Sequence, residues 1–398
     1  MKLVEPILAF QTELQAIRRD LHAHPELCYE EVRTADMVAE RLTAWGIPIV
    51  RGLGLTGVVG IIKNGTSNRA IGLRADMDAL PMQELNGFAH ASTNPGKMHA
   101  CGHDGHTAML LGAAHYLATH RNFDGTVYVI FQPAEEGGGG ARRMMDDGLF
   151  EQFPMEAVYG MHNWPGLAEG SFGVVAGPMM ASSNEFRVVV RGKGAHAAQP
   201  HRAIDPVMVA VQIAQSWQTI ISREKNPLET AVLSITQIHA GSATNVIPDE
   251  AELIGTVRTF STGVLDLIER RMNEIAGGVA GGFNASVDFS FKRNYPPLVN
   301  HAEQTAFAIE AMRAVVGHER VDTNVEPTMG AEDFAFMLQE KPGCYVFIGN
   351  GEGEHRTGGH GLGPCQLHNG SYDFNDNLLP IGASYWVRLV EMSLPASA

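Results

Sequence analysis

The chain has 398 residues, of which 44% are hydrophobic and 18% charged, and it carries a formal net charge of −15. A chain of this length exceeds one ordinary hydrophobic core, so we expect about two domains in a soluble globular protein. The acidic balance, which no basic block offsets, repels phosphate backbones and argues against nucleic acid as a partner.

The first ten residues contain Glu5 and Pro6 where a secretion signal needs an uninterrupted apolar run, and no later stretch is long enough to span a bilayer. We therefore expect a cytoplasmic protein that does not bind membranes. The cysteines are too few for a disulfide framework in a chain of this size, so each is expected to be a thiol, either buried or a ligand. They are Cys28, Cys101, Cys344 and Cys365.

The first half of the chain alternates between helix and strand patterns. Residues 7–24 place apolar side chains at three- and four-residue steps, which predicts an amphipathic helix that ends before Pro25. A second helix is predicted from about 31 to 45, and a third from about 107 to 119. Buried strands alternating with helices predict an α/β sheet covered on both faces, with a site at the strand ends. The predicted strands are 57–62, 70–75, 126–131 and 157–162.

The middle of the chain has a different pattern, because residues 185–191 alternate as a half-exposed strand does. The following segments complete the order βαββαβ, which is that of a ferredoxin-like unit. They are a helix at 205–222, strands at 231–239 and 250–258, a helix from Thr262 and a strand at 285–293.

Buried strand and helix patterns resume after the YPPL segment at 295–298, with a strand at 344–349 and a closing helix after Asn375. The middle block is therefore expected to be inserted into the first domain. We predict a discontinuous domain of residues 1–182 and 295–398 and an inserted domain of residues 183–294.

The segment MHACGHDGHTA at 98–108 contains three histidines and a cysteine. If the segment is extended, Cys101 and His103 point the same way and can present sulfur and nitrogen to one metal ion. Gly102 keeps the backbone between them uncrowded. The same composition equally fits a histidine-rich loop that caps a helix.

Glu135 and Glu136 follow a predicted buried strand. Adjacent carboxylates repel each other unless a cation or a proton lies between them. Side chains of consecutive residues also point in different directions. One could therefore bind a metal while the other faces water. The alternative is a solvated acidic turn before glycines. A nucleotide-binding loop at 137–140 is disfavoured because no Gly-Lys-Ser/Thr follows.

His162 ends the next predicted strand, and His368 lies in a loop before the last helix. A single histidine at a strand end is more often a hydrogen-bonded structural residue than a ligand. Together, however, five side chains of mixed softness exceed what one tetrahedral ion needs and favour two metal ions. They are Cys101, His103, Glu136, His162 and His368. Cysteine and histidine favour zinc, whereas histidine with glutamate also suits manganese, cobalt or nickel.

Eight motifs in order resemble the peptidase M20 family, and more narrowly its amidohydrolase branch of hippurate hydrolases, N-acyl-amino-acid amidohydrolases and auxin-conjugate hydrolases. The resemblance runs from about Arg18 to Val390. The motifs are RADMDALP, MHACGHDGHTA, FQPAEEGGGGA, GMHNWP, GKGAHAAQPH, TNVIPDEAELIGTVRTF, MGAEDFAFM and LHNGSYDFND.

The resemblance implies a metal-dependent exopeptidase-like α/β domain, with a mixed sheet sandwiched by helices, and an inserted ferredoxin-like lid and dimerisation domain. It also implies two divalent metal ions and a homodimer or higher homo-oligomer formed through the lid. The donor types, and not the resemblance, place zinc or manganese before cobalt or nickel. Five positions match the metal ligands, and Glu135 matches the general base. The five are Cys101, His103, Glu136, His162 and His368.

The resemblance further assigns residues of the inserted domain. His196 matches a histidine that reaches the neighbouring subunit's active site, and Asn245 and Arg258 match positions that bind the substrate's carboxylate. An inter-strand salt bridge is the alternative for Arg258. Asp76 is expected to orient a ligand histidine or to restrain Glu135.

The implied reaction is hydrolysis of the amide bond of N-acyl amino acids, with acetyl, benzoyl or a similar acyl group. Water activated by metal would attack, and Glu135 would act as the base. A metallo-dipeptidase or carboxypeptidase of the same fold is the first alternative. The second is a protein that binds acyl amino acids without hydrolysing them.

Overall fold

The computed structural model describes residues 1–396. In chain order its α-helices are α1 (Glu5–Ala9), α2 (Gln11–Ala23), α3 (Val32–Ala44), α4 (His103–His120), α5 (Gly140–Asp146), α6 (Leu149–Gln152), α7 (Pro206–Thr219), α8 (Thr262–Gly282), α9 (Ala302–Val316), α10 (Ala335–Glu340) and α11 (Leu378–Ser393). No helix within residues 1–396 is both long enough and apolar enough to cross a lipid bilayer.

The strands, also in chain order, are β1 (Ile49–Leu53), β2 (Gly57–Asn64), β3 (Ala70–Asp76), β4 (Gly125–Gln132), β5 (Ala157–Pro165), β6 (Phe172–Gly173), β7 (Gly177–Met180), β8 (Ser183–Arg191), β9 (Ala195–His196), β10 (Ala231–Ala240), β11 (Val246–Ile247), β12 (Glu250–Thr259), β13 (Ser286–Tyr295), β14 (Leu298–Asn300), β15 (Val321–Asp322) and β16 (Gly343–Gly351).

The chain forms two compact units. The first contains Met1–Gly177, Val299–Glu326 and the residues from Phe336 onward, and the second contains Pro178–Leu298 and Pro327–Ala335. The second unit thus takes in Pro327–Ala335, which the sequence analysis assigned to the other domain. Long-range backbone pairing explains the difference, because the N–H of Ala181 donates to the carbonyl oxygens of Thr328 and Gly330.

The first unit is built on an eight-stranded sheet in the order β1-β2-β4-β3-β5-β16-β6-β15. The central strands β4, β3, β5 and β16 run parallel, while β1, β2 and β6 add antiparallel pairs. Strands β3 and β16 are buried along their whole length, as expected for parallel strands covered on both faces. The α/β class with a mixed sheet is therefore confirmed.

Parallel strands bring the polar segments that follow them to one edge of the sheet. Asp76 at the end of β3 is paired with Gln132 at the end of β4, and β5 runs parallel beside β3. Helix α4 packs against β3 and lies between α2 and α11 in the core. Its first residue, His103, is fully buried. The candidate site therefore lies where the carboxyl ends of β3, β4 and β5 meet the start of α4.

The second unit contains a four-stranded antiparallel sheet in the order β10-β12-β8-β13. Helices α7 and α8 pack on it around a core that includes Val188, Trp217 and Ile268. Both helices are capped at their N-termini, since the Asp205 and Ser261 side chains accept hydrogen bonds from backbone N–H groups of the first turns. The observed order is βαββαβ, with the predicted strands and helices in place.

Candidate metal centre

The turn before α4 differs from the extended segment predicted around Cys101 and His103. Gly102 has a φ of +90° and is followed directly by helix, so His103 is the first helical residue. A Cβ atom on Gly102 would lie 2.2 Å from Oδ1 of Asn163. Only glycine fits both the left-handed backbone and this close approach. The prediction of an extended backbone was wrong because it ignored this turn.

The turn nevertheless brings Cys101 and His103 together with His162. One ligand atom from each of these side chains lies within 4.8 Å of the others. The Sγ atom of Cys101 is 3.3 Å from Nε2 of His162, and all three side chains are buried. These are a soft thiolate and two imidazoles, a donor set that suits zinc and related ions.

Cys101 also belongs to a second group, with Glu136 and His368, whose ligand atoms again lie within 4.8 Å of one another. Nε2 of His368 is 3.3 Å from Oε1 of Glu136. The thiol is therefore common to two donor groups. A third group joins His103 to Glu135 and Glu136 within the same distance. The five side chains predicted as ligands, and the glutamate predicted as base, all converge on one place.

Hydrogen bonds fix the ring orientation of two of these histidines. Nδ1 of His103 donates to the backbone oxygen of Asp78 at 2.8 Å, and Nδ1 of His162 donates to that of Asn163 at 2.6 Å. Each ring therefore offers the lone pair of Nε2 to a ligand. Among the described residues, the buried Nε2 of His103 has no hydrogen-bond partner. A metal ion would fit this atom, because an unpaired buried donor or acceptor is otherwise costly.

The electrostatics of the site also fit cations. Burial, followed by the charges of Glu136 and Glu135, raises the pKa of the Cys101 thiol well above its ordinary value. Although burial opposes it, the charge of Asp76 and the bonds with Asp78 raise the pKa of His103 to about 10. Divalent cations would favour the deprotonated forms of both groups, and their binding would release protons.

The loop after β4 is held by side chains from elsewhere in the first unit. Ala134 has a φ of +55°, and its N–H donates to Oε1 of Glu31 at 2.8 Å. The N–H of Glu136 donates to Oδ2 of Asp78 at 2.9 Å. Glu135, between these two anchors, is 7% exposed. The pair of adjacent glutamates is thus not the solvated acidic turn that the sequence left open.

Asp76 is completely buried at the end of β3. Its Oδ2 accepts from the Arg74 guanidinium at 2.6 Å, and its Oδ1 accepts from Nδ1 of His106 at 2.6 Å. Burial alone would raise the pKa of Asp76, but the charges of His103, Arg74 and His106 hold it well below its usual range. Nε2 of His106 in turn accepts from the N–H of Asn163. Asp76 therefore orients His106, whose two nitrogens are both occupied.

Two carboxylates lie beside the His103 ring: Oδ2 of Asp76 is 3.8 Å from Nε2, and Asp78, to which the sequence assigned no role, is nearer to Nδ1. Oδ1 of Asp78 is 3.2 Å from Nδ1 of His103, while its Oδ2 receives the Glu136 N–H. Glu31 was missed as well. A signal for Asp78 was present, because it is a second aspartate just beyond the carboxyl end of β3, where site residues of such sheets collect. Nothing local to Glu31 pointed to a loop more than 100 residues away.

The second unit holds the remaining predicted site residues. His196 on β9 pairs with Val246 on β11, next to Asn245, and both His196 and Asn245 are exposed. The Nδ1 atom of His196 accepts from the N–H of Ala198, which leaves Nε2 as the protonated nitrogen. Arg258 lies on β12, and burial lowers its pKa despite the opposing charge of Glu185. The structure thus brings His196 and Asn245 together on one short ladder.

Residues 72–392 match the description peptidase family M20/M25/M40. The chain belongs to this family. The resemblance inferred from the motifs is therefore confirmed, and so is the expectation of a hydrolase that acts on amide bonds.

Three relatives of this M20 chain cover nearly its whole length. It is 40% identical over 389 residues to a hippurate hydrolase of Campylobacter jejuni, with 98% of each chain covered. It is 39% identical over 392 residues to an N-acetylcysteine deacetylase of Bacillus subtilis, covering 97% of this chain and 98% of the other. A Bacillus subtilis structure described as a dinuclear metal binding peptidase from the M20 family is 36% identical, with a TM-score of 0.84 and 97% and 99% coverage.

Proposed function

We propose that this M20 hydrolase cleaves the amide bond of N-acyl amino acids, releasing a carboxylic acid and a free amino acid, with two divalent metal ions at the candidate centre. The observation that carries the proposal is the sharing of Cys101 between two donor groups beside a buried glutamate. Cys101, His103 and His162 would hold one ion, and Cys101, Glu136 and His368 would hold the other.

When bound there, the two cations would supply Lewis acidity, which acidifies water and polarises an amide carbonyl. Glu135 is the residue that moves the proton. It lies with His103 and Glu136 in one group of side chains, so its carboxylate can take a proton from attacking water and pass it to the leaving nitrogen. Asp78 and Glu31 hold the backbone on either side of Glu135 and so limit the positions its carboxylate can adopt.

Substrate recognition is assigned to the second unit. Arg258 suits a carboxylate because its planar fork can donate two hydrogen bonds, and Asn245 can add a third donor. The protonated Nε2 of His196 is a suitable donor to the oxyanion that develops on the substrate carbonyl. We propose that His196 acts in the neighbouring subunit of a homodimer formed through residues 183–294, which serve as lid and dimerisation domain.

Zinc and manganese are the first candidates for both ions. The thiol and imidazole donors of the first group favour zinc, whereas the carboxylate and imidazole of the second also suit manganese, cobalt or nickel. Orientation of His103 by Asp78 is the kind of support that metal-bound histidines require.

The test is a panel of substrates assayed with chelator-treated protein to which zinc, manganese, cobalt or nickel is returned. The panel contains N-benzoylglycine, N-acetyl amino acids and an unblocked dipeptide, and the readout is release of free amine. We expect metal-dependent turnover of one or more N-acyl amino acids and little turnover of the dipeptide. Stoichiometric binding of N-benzoylglycine without amine release would instead identify a binding protein.

A metallo-dipeptidase or carboxypeptidase is the second candidate, since the solved Bacillus subtilis relative is described as a peptidase. Faster hydrolysis of the dipeptide than of any N-acyl amino acid would favour it and overturn the first assignment. The two candidates share the metal centre and Glu135. They differ in the substrate, which carries an acyl group on its nitrogen in the first case and is an unblocked peptide in the second.

A further inference from the structure

A cluster of buried charges lies beside the candidate metal centre in the first unit. Arg18 on α2 is 1% exposed, and its guanidinium contacts three carboxylates. Its Nε donates to Oδ1 of Asp376 at 2.6 Å and one terminal nitrogen donates to Oδ1 of Asp373 at 3.1 Å. The same terminal nitrogen is 3.7 Å from Oδ2 of Asp104. No step of the proposed reaction uses these groups.

Two of these carboxylates belong to the segment that carries His368. Asp373 and Asp376 follow His368 by five and eight residues in the stretch before α11. His368 itself has little support, since its side chain is 55% exposed and its φ is +60°. The bond from its N–H to the carbonyl of Ala100, at 2.8 Å, ties it to the residue before Cys101. The position of His368 therefore depends on how the rest of its segment is anchored.

The other candidate ligands are anchored differently. His103 and His162 are buried and their rings are oriented by backbone oxygens. Asp104, the third carboxylate near Arg18, is held more closely by Nδ1 of His22 at 2.8 Å. Loss of the Arg18 guanidinium would therefore affect the segment of His368 more than the start of α4.

We propose that Arg18 is a positioning residue for the metal pair, which through Asp373 and Asp376 holds His368 in place to close the Cys101–Glu136–His368 group around one cation. The inference rests on the proposed dinuclear function. Arginine is required because its fork reaches two carboxylates on different residues at once, which the single ammonium of lysine does not reproduce. Without it, the buried Asp373 and the partly buried Asp376 would lose the cation between them, and their repulsion would displace the segment.

The chain offers a matched control in the next residue. Arg19 also donates to Asp376, at 2.9 Å, but its side chain is 44% exposed and contacts the other oxygen, Oδ2. An exposed ion pair of this kind contributes little. Replacing Arg19 with glutamine removes a positive charge beside the same carboxylate and leaves the buried guanidinium of Arg18 in place.

The experiment is a titration of metal-free wild-type protein, Arg18→Lys and Arg19→Gln with Co²⁺, followed by calorimetry and by the visible absorption of the bound ion. We expect two ions per wild-type and Arg19→Gln chain. In Arg18→Lys the tighter binding step should match that of the wild type. The other step, which we assign to the Cys101–Glu136–His368 group, should be at least about tenfold weaker, the effect typical of lost support behind a ligand. A titration of Arg18→Lys that matches wild type in both steps would overturn the proposal.

Asp376→Asn is the second variant, and it tests the same proposal if circular dichroism shows that Arg18→Lys does not fold. This variant loses one of the two carboxylates without leaving a charge unpaired in the core, and it should also weaken only the step assigned to the Cys101–Glu136–His368 group. Equal weakening of both ions in it would mean a general structural role and would count against the proposal. Failure of the wild-type chain to bind two ions would instead refute the dinuclear function, whatever Arg18 does.

Discussion

The Oδ2 atom of Asp78 accepts a hydrogen bond from the backbone N–H of Glu136 at 2.9 Å. The other oxygen of the same carboxylate lies 3.2 Å from Nδ1 of His103. One side chain just beyond β3 thus anchors two proposed ligands that come from different segments of the chain. The geometry of the proposed centre depends on this carboxylate as much as on the ligands.

Asp78→Asn should weaken metal binding by about 10- to 100-fold, as loss of a group behind a metal ligand commonly does. An amide presents only one acceptor atom and cannot serve both His103 and the Glu136 N–H. Competition with a chromophoric chelator measures the affinity. Cys28→Ser is the control, because the thiol of Cys28 contacts the same oxygen at 3.3 Å and serine can replace that donor. Wild-type affinity in Asp78→Asn would contradict the role given to Asp78.

Cys101→Ala should lose both metal ions, whereas His368→Ala should lose one. The thiol belongs to both donor groups, and His368 belongs to only one of them. Metal analysis after dialysis against metal-free buffer gives the number of ions per chain. If Cys101→Ala retained one ion with unchanged affinity, the proposal that Cys101 serves both ions would be wrong.

Glu135→Gln should reduce kcat by about 10²–10⁴-fold, the usual contribution of a positioned general base, while both ions remain bound. Glutamine keeps the size of the side chain but cannot accept the proton from water. Turnover of the preferred N-acyl amino acid and metal content are measured on the same preparation. Near-normal activity with full metal content would exclude Glu135 as the base.

Mixing Glu135→Gln with His196→Ala chains tests whether His196 acts across subunits. Each variant alone should be nearly inactive. If His196 serves the neighbouring site, a mixed dimer has one complete site, and random reassociation restores about a quarter of wild-type activity. If His196 serves its own chain, every site in the mixture lacks one group and no activity returns. The readout is activity after reversible dissociation and mixing.

The stability of the protein should fall as the pH rises from about 6.5 through about 9. His22 is fully buried between Oδ2 of Asp104 at 2.8 Å and Oε1 of Glu84 at 3.2 Å. Burial lowers the pKa of His22, but the bonds to these carboxylates outweigh it and raise the pKa to about 9. The folded state then holds a proton that the unfolded state releases above its ordinary pKa. The stabilisation is therefore full below about 6.5 and is lost as pH passes about 9.

The loss should reach at most about 1.4 kcal/mol per pH unit, which corresponds to one proton. Urea unfolding of the wild-type chain and of His22→Gln across this range measures it. Glutamine can still bond to the carboxylates but does not titrate, so the variant should lose the part of the slope that the His22 proton contributes. An identical slope in both chains would mean that another group is responsible.

Much of the fold could be predicted because its elements have strong local patterns. The parallel strands β3, β4, β5 and β16 are continuous apolar runs, and the second unit shows the strand and helix periods of a βαββαβ block. What could not be predicted has weak local signals. The two-residue strands β6 and β15 complete the sheet edge only through partners far along the chain. Asn163, 61 residues after Gly102, leaves no space for a Cβ atom at the left-handed turn, and no local pattern could show this contact.

The sequence by itself determined which kinds of groups the site contains, because cysteine, histidine and paired glutamates are recognisable wherever they occur. It also identified the family through ordered motifs. Only the tertiary structure decided that Cys101 is shared between two donor groups, that Asp78 contacts Nδ1 of His103 while Asp76 bonds to His106, and that Arg18 reaches the segment of His368. Each of these contacts joins residues that are far apart in the chain. The contacts form only when the ends of parallel strands and their loops pack together, so no local sequence pattern can predict them.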